Sequence, residues 1–112
     1  MTLGLKHADP KVEAAAAEVA TSGYGKIVGL VLAPHYSSYS IGQYLERTRA
    51  GVEQAERETP VVGIDSWAVE PAFIDFLAND LRTRLDTMRA GVEHPVRVLF
   101  TAHSLPQRII DG

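Results

Sequence analysis

Histidine is the side chain here best suited to holding a metal ion or taking up a proton near neutral pH, and the chain has four of them. Three stand where an apolar run gives way to polar residues. Lys6-His7 closes the first run. Ala33-Pro34-His35-Tyr36-Ser37-Ser38 follows the second, and His103-Ser104 follows the last. Asp65-Ser66-Trp67 closes the remaining run, whereas His94 precedes a run and belongs at its opposite end. Histidines gathered on one rim can bind a metal or accept protons. The blander reading is that a lone histidine at a strand end is a hydrogen-bonded structural residue. Tyr36 and Tyr39 can then simply cover a sheet edge, Asp65 cap a turn, and Trp67 sit in the core with its N–H satisfied.

The elements that must position these residues follow from the apolar pattern. Thr2–Lys6 is short enough to be the tail of a strand. Asp9-Pro10 predicts a helix start, with Asp9 as N-cap and Pro10 at the first helical position. The alanine-rich run Val12–Ala20 favours helix, and Ser22-Gly23 ends it. Lys26–Ala33 is a continuous Val/Ile/Leu run, the pattern of a strand covered on both faces in a parallel sheet. Ser40-Ile41-Gly42-Gln43 has the form of a capping box, with Tyr39 and Tyr44 as a hydrophobic staple, opening a helix that runs to about Glu58. Its stretch from Glu46 to Glu58 reads as a solvated face. Pro60–Ile64 predicts another strand. Pro71 opens a third helix whose Phe73, Ile74, Leu77, Leu81, Leu85 and Met88 form one apolar packing stripe. Gly91 closes it, Pro95–Thr101 predicts the last strand, and a further turn starts near Pro106. Such alternation argues for an α/β fold: a parallel, doubly wound sheet flanked by helices, with right-handed crossovers. Ligands of such sheets bind beyond the carboxyl ends of the strands, which is where the polar clusters fall.

Composition narrows the function classes. With 46% apolar and 22% charged residues, the 112-residue chain reads as a globular domain or part of one. A net charge of −3, with both signs interspersed, gives no support for a nucleic-acid partner. The longest apolar run is far short of a bilayer span and no signal peptide is visible, so membrane insertion is not expected and a cytoplasmic location is. Cysteine is absent, which excludes disulfides, thiolate metal sites and Fe–S ligation within these residues. No organic cofactor is indicated.

Four motifs in order resemble one family. Gly4-Leu5-Lys6-His7, Leu32-Ala33-Pro34-His35-Tyr36-Ser37-Ser38-Tyr39-Ser40, Asp65-Ser66-Trp67 with Glu70-Pro71, and Thr101-Ala102-His103-Ser104-Leu105-Pro106 are similar to ferrochelatases across essentially the whole chain. The last is the most distinctive. Ala-Pro-His-Tyr-Ser and Ala-His-Ser-Leu-Pro resemble the coproporphyrin III enzymes of Gram-positive and actinobacterial haem synthesis, rather than the protoporphyrin IX branch. The Ala- and Arg-rich composition leans toward an actinobacterial source.

The resemblance implies a chelatase-like fold and a lyase that takes Fe²⁺ and a porphyrin as substrates. His103 matches the family's active-site histidine, proposed to bind the incoming Fe²⁺, to accept pyrrole protons, or both; either role needs an unprotonated imidazole. Tyr44 matches a tyrosine lining the porphyrin site. Lys6 and His7 match a cleft-side pair, and Lys6 can also meet a propionate. His35, Ser37 and Ser38 match the loop beside the porphyrin, where hydroxyl and backbone donors can hold a carboxylate.

The resemblance also marks departures. The family's first strand and its porphyrin-gripping loop have no counterpart here, nor has the second domain with the glutamate that faces the histidine. Residues 1–112 then correspond to the central portion of the N-terminal half, a partial domain expected to have little or no chelatase activity alone. Its exposed sheet edge invites self-association or domain swapping. Two other readings compete. A small homodimeric sirohydrochlorin-type chelatase has about this length but places a histidine in an early Gly-His-Gly-like strand end, which Lys6-His7-Ala8 does not reproduce. A non-catalytic tetrapyrrole- or metal-binding module is the alternative outside enzymes.

Overall fold

The computed structural model describes residues 1–91 and 94–101. Three helices and two strands alternate: α1 (Val12–Thr21), β1 (Ile27–Leu30), α2 (Gln43–Gln54), β2 (Val61–Ile64) and α3 (Pro71–Arg89). β1 and β2 pair in parallel, Ile27 opposite Val61 through Leu30 opposite Ile64, with α2 as the crossover. The expected parallel α/β arrangement is therefore present, built on two strands among the described residues.

The core lies between the two strands and the α1–α2 pair. α1 buries Val12, Ala15, Ala16 and Ala20, spaced to lie along one side of a helix. Ala16 and Ala20 cluster with Ile27 and Val52, and Val19, Ala55 and Val61 pack around them. Small residues set the helix separation. A Cβ on Gly51 of α2 would fall onto the backbone of Glu13 and within 2.9 Å of the Ala16 Cβ. At the sheet, Gly29 and Gly63 leave room for Leu45, whose Cδ2 would stand 3.0 Å from a Cβ at either position. Alternation places Ile27, Gly29, Val61 and Gly63 toward these helices and the residues between them on the other side. On that side Val28, Leu30, Val62 and Ile64 are 59%, 52%, 46% and 40% exposed.

Several local expectations are corrected. Thr2–Lys6 forms a single bridge, Leu5 to Lys11, instead of a strand. Leu5 N–H donates to the Pro10 carbonyl and its own carbonyl accepts from Val12 N–H, which holds Lys11 extended. The helix consequently starts at Val12 with Lys11 as N-cap, and Asp9 does not cap it. The Ser40–Gln43 capping box is replaced by a π-helical turn, Ser38–Gly42, in which the Ser37 carbonyl accepts from both Ser40 and Gly42 N–H. α2 stops at Gln54 because Glu56 adopts a left-handed conformation (φ 52°) and Glu56 and Arg57 N–H return to the carbonyls of Glu53 and Val52.

The apolar stripe of α3 does not enter a core: none of the helix's residues is buried, and Ile74, Leu77 and Met88 are 49%, 46% and 59% exposed, though Phe73 at its start meets the Trp67 ring. Pro95–Thr101 is not a strand either, and its Leu99 and Phe100 are 86% and 81% exposed. Neither sheet edge receives it, and a strand without a partner has no ladder to form. Among the described residues, α1 and α2 cover one face of the sheet. The expected turn after Pro106 lies outside the described residues.

Gly51→Ala should destabilise the chain by about 1–3 kcal/mol through overpacking at the helix crossing, despite alanine's better helix propensity. Gly25→Ala, with nothing within 4 Å of the added carbon, should stay within about 0.5 kcal/mol. Urea denaturation of the two variants checks both values.

Candidate functional site

The rim at the carboxyl ends of β1 and β2 is assembled from three chain segments. The loop after β2 is tied to the loop after β1: Trp67 N–H donates to the Pro34 carbonyl at 3.0 Å, and Ser66 Oγ to the same oxygen at 3.2 Å. The Trp67 indole N–H donates to the Val31 carbonyl at 3.0 Å, and its ring meets Phe73 edge-on at 4.8 Å between centroids. The Trp67 N–H is satisfied, as its blander reading supposed, but the ring is half-buried outside the core and joins two strand ends.

The third segment, Gly4–His7, is held by α2. The Lys6 ammonium donates to the Gln43 side-chain carbonyl and to the Tyr39 backbone carbonyl at 3.3 Å, and lies 5.6 Å from the centre of the Tyr44 ring. Gln43 therefore turns to Lys6 instead of back to Ser40, which is why no capping box forms. Arg47, one turn further along α2, donates through Nε and Nη2 to the two carboxylate oxygens of Glu13 at 2.5 and 2.8 Å. Its Nη1 donates to the Lys6 carbonyl at 3.2 Å. The Arg47 and Glu13 side chains are only 28% and 26% exposed, so Arg47 is not part of a solvated helix face. Hydrogen bonding to Arg47 holds the Glu13 carboxyl below its ordinary range, and the same bond pushes the Arg47 guanidinium up.

Among the expected site residues, the structure brings Lys6 and Tyr44 together. His7 and His35 are exposed, and Ser37 and Ser38 are half-buried in the π-helical turn, with their carbonyls engaged in it. His103 lies outside the described residues. No group of three or more His, Asp or Glu side chains suited to a metal gathers among the described residues. No described helix is long and apolar enough to cross a membrane. Gln43, Arg47 and Glu13 were not read from the sequence as parts of the site. Glu13 and Arg47 meet across 34 positions, and no local pattern joins them.

A parallel β–α–β unit with its strand-end loops and a lysine–tyrosine pair gathered beside it defines an α/β protein. A family model described as Ferrochelatase matches residues 1–112, and the chain belongs to the ferrochelatase family. It is 36% identical over 107 residues to the ferrochelatase of Herpetosiphon aurantiacus, covering 96% of this chain and 35% of that protein. It is 38% identical over 112 residues to the coproporphyrin III ferrochelatase of Geobacillus kaustophilus, covering 100% of this chain and 35% of that one. The coproporphyrin III ferrochelatase of Geobacillus sp. WCH70 is 40% identical over 111 residues, covering 98% of this chain and 35% of that protein. The chain thus spans about a third of the length of these curated relatives.

Because the Glu13 carboxyl is held below its ordinary value of 4.5, its pairing stabilises the fold above that range and is lost as pH falls through the folded-state value. Glu13→Gln should lower stability near neutral pH and flatten this part of the acid limb. Thermal melts across an acid pH series, read by circular dichroism, provide the check.

Proposed function

We propose that residues 1–112 form one wall of the cleft in which a coproporphyrin III ferrochelatase inserts Fe²⁺. The observation that carries this reading is the Lys6–Tyr44 pair: an ammonium and an aromatic ring side by side suit a flat macrocycle bearing carboxylates. Tyr44 supplies a ring against the tetrapyrrole, and Lys6, having given hydrogen bonds to Gln43 and Tyr39, can donate a further one to a propionate. His7, His35, Ser37 and Ser38 stand around the same substrate in this proposal. Their imidazole, hydroxyl and backbone donors add contacts to its carboxylates.

Metallation replaces pyrrole N–H bonds with bonds to the metal, so each Fe²⁺ that enters must be matched by two protons that leave. His103 is assigned to that exchange, as metal contact, proton acceptor or both; its imidazole must be neutral to do either. Fe²⁺ is a substrate here. The reaction is assigned to the cytoplasm in this proposal. The acidic group facing His103 is assigned to the part of the relatives that these residues do not match. One wall binds the macrocycle without driving turnover.

Coproporphyrin III should therefore be taken up by the 112-residue chain stoichiometrically, with no catalytic iron insertion, when both are followed by Soret absorbance. Turnover near that of a complete enzyme would refute the one-wall reading, and absence of any porphyrin binding would refute the cleft assignment. His103→Ala should weaken Fe²⁺ uptake by at least about tenfold while sparing porphyrin uptake.

The chain alone is also proposed to self-associate. Both outer edges of the β1–β2 pair are open among the described residues, and one sheet face carries Val28, Leu30, Val62 and Ile64 toward solvent. A cleft of about 290 Å³, lined by apolar residues of β1 and the N-terminal segment, runs beside β1. Sedimentation velocity at micromolar concentration should show dimers or larger species, reduced by Val62→Lys; a folded monomer at high concentration sinks the idea.

A further inference from the structure

We propose that Arg47 is a positioning residue for the porphyrin site, fixing the backbone of Lys6 so that its ammonium stands beside Tyr44. The inference rests on the reading that Lys6 meets a substrate carboxylate. A four-carbon side chain has high rotamer entropy, and an unrestrained ammonium would sample a wide volume. Here both ends of the residue are held by one turn of α2. Gln43 and Tyr44 flank the ammonium, and Arg47 donates to the Lys6 carbonyl at 3.2 Å. The first two fix where the side chain ends, and the third fixes where it begins.

Arg47 can do this because its guanidinium is itself fixed. The two bonds to Glu13 at 2.5 and 2.8 Å use one edge of the planar fork, leaving Nη1 directed at the Lys6 carbonyl. A lysine at this position offers a point charge that can pair with Glu13 but cannot reproduce the fork toward a second acceptor. The close packing of α1 on α2 at Gly51 sets the distance over which Glu13 and Arg47 meet. One side chain thus connects the helix crossing to the rim. A purely structural tie between the helices would need only the Glu13 contacts; the bond to the Lys6 carbonyl is what links the tie to the site.

The test compares the 112-residue chain with Arg47→Lys, Arg47→Gln, Lys6→Met and the Arg47→Lys/Lys6→Met double variant. Two readouts are taken: NMR relaxation of ¹³Cε-labelled lysine, with Lys11 and Lys26 as internal references, and coproporphyrin III titration by Soret absorbance. Lys6 should be more ordered than the reference lysines in the parent chain and should loosen to their level in both Arg47 variants. Arg47→Lys should retain helix content by circular dichroism, so that it decides the matter even where Arg47→Gln does not fold. Porphyrin affinity should fall about tenfold in Arg47→Lys and no further when Lys6→Met is added. Unchanged Lys6 order in a folded Arg47→Lys chain overturns the proposal, as does an affinity loss that persists in the Lys6→Met background. Equal affinity of Lys6→Met and the parent chain instead sinks the substrate contact of Lys6, while the relaxation data still decide what Arg47 does.

Discussion

The close approach of α1 and α2 is the constraint on which the rest of the molecule depends. Alanines on one helix and Gly51 on the other bring the backbones into contact, and only at that separation do Glu13 and Arg47 meet with bidentate geometry. The burial involved is modest, because alanine offers little apolar area. The crossing gains definition from shape and from an ion pair largely withdrawn from solvent. Leu45 extends the same logic to the sheet, where two glycines leave space that any side chain would occupy. Volume is removed at these positions so that larger groups can be placed with accuracy.

The rim inherits that accuracy unequally. The Lys6–Tyr44 pair is backed by α2, and the loop after β1 is tied to the loop after β2 through Trp67 and Ser66. His7 and His35, by contrast, sit on exposed stretches. In the proposed reading, such a rim has rigid members for orienting a large planar substrate and less constrained members around them. That division suits a macrocycle, whose faces demand shape and whose peripheral carboxylates tolerate variation.

How much of this was legible in the sequence depends on the range of the forces involved. β1 and β2 fall within the runs Lys26–Ala33 and Pro60–Ile64, and α3 begins at Pro71 as its proline demands, because hydrophobic run length and proline geometry are local signals. The capping box failed for a non-local reason: Lys6, 37 positions away, takes the Gln43 carbonyl that the box requires. The helix start at Asp9-Pro10 was displaced similarly, by the pairing of Leu5 with Lys11. Pro95–Thr101 has strand-like composition, but a strand is a relation between segments, and composition cannot supply the neighbour. Lys6 and Tyr44 were singled out through family resemblance and prove to be neighbours, whereas Arg47 looked like one more charge on a helix surface until its partner on α1 was in place.

Trp67 gives the molecule a property of practical use. It is the sole tryptophan of the chain, and it is bonded to the loop after β1 while its ring rests against the start of α3. An indole so placed is a native fluorophore at the strand-end rim, and tetrapyrroles absorb strongly where indole emits. Arrival of a porphyrin at this rim would quench that emission by resonance energy transfer, making the chain an optical sensor of its own occupancy without any label.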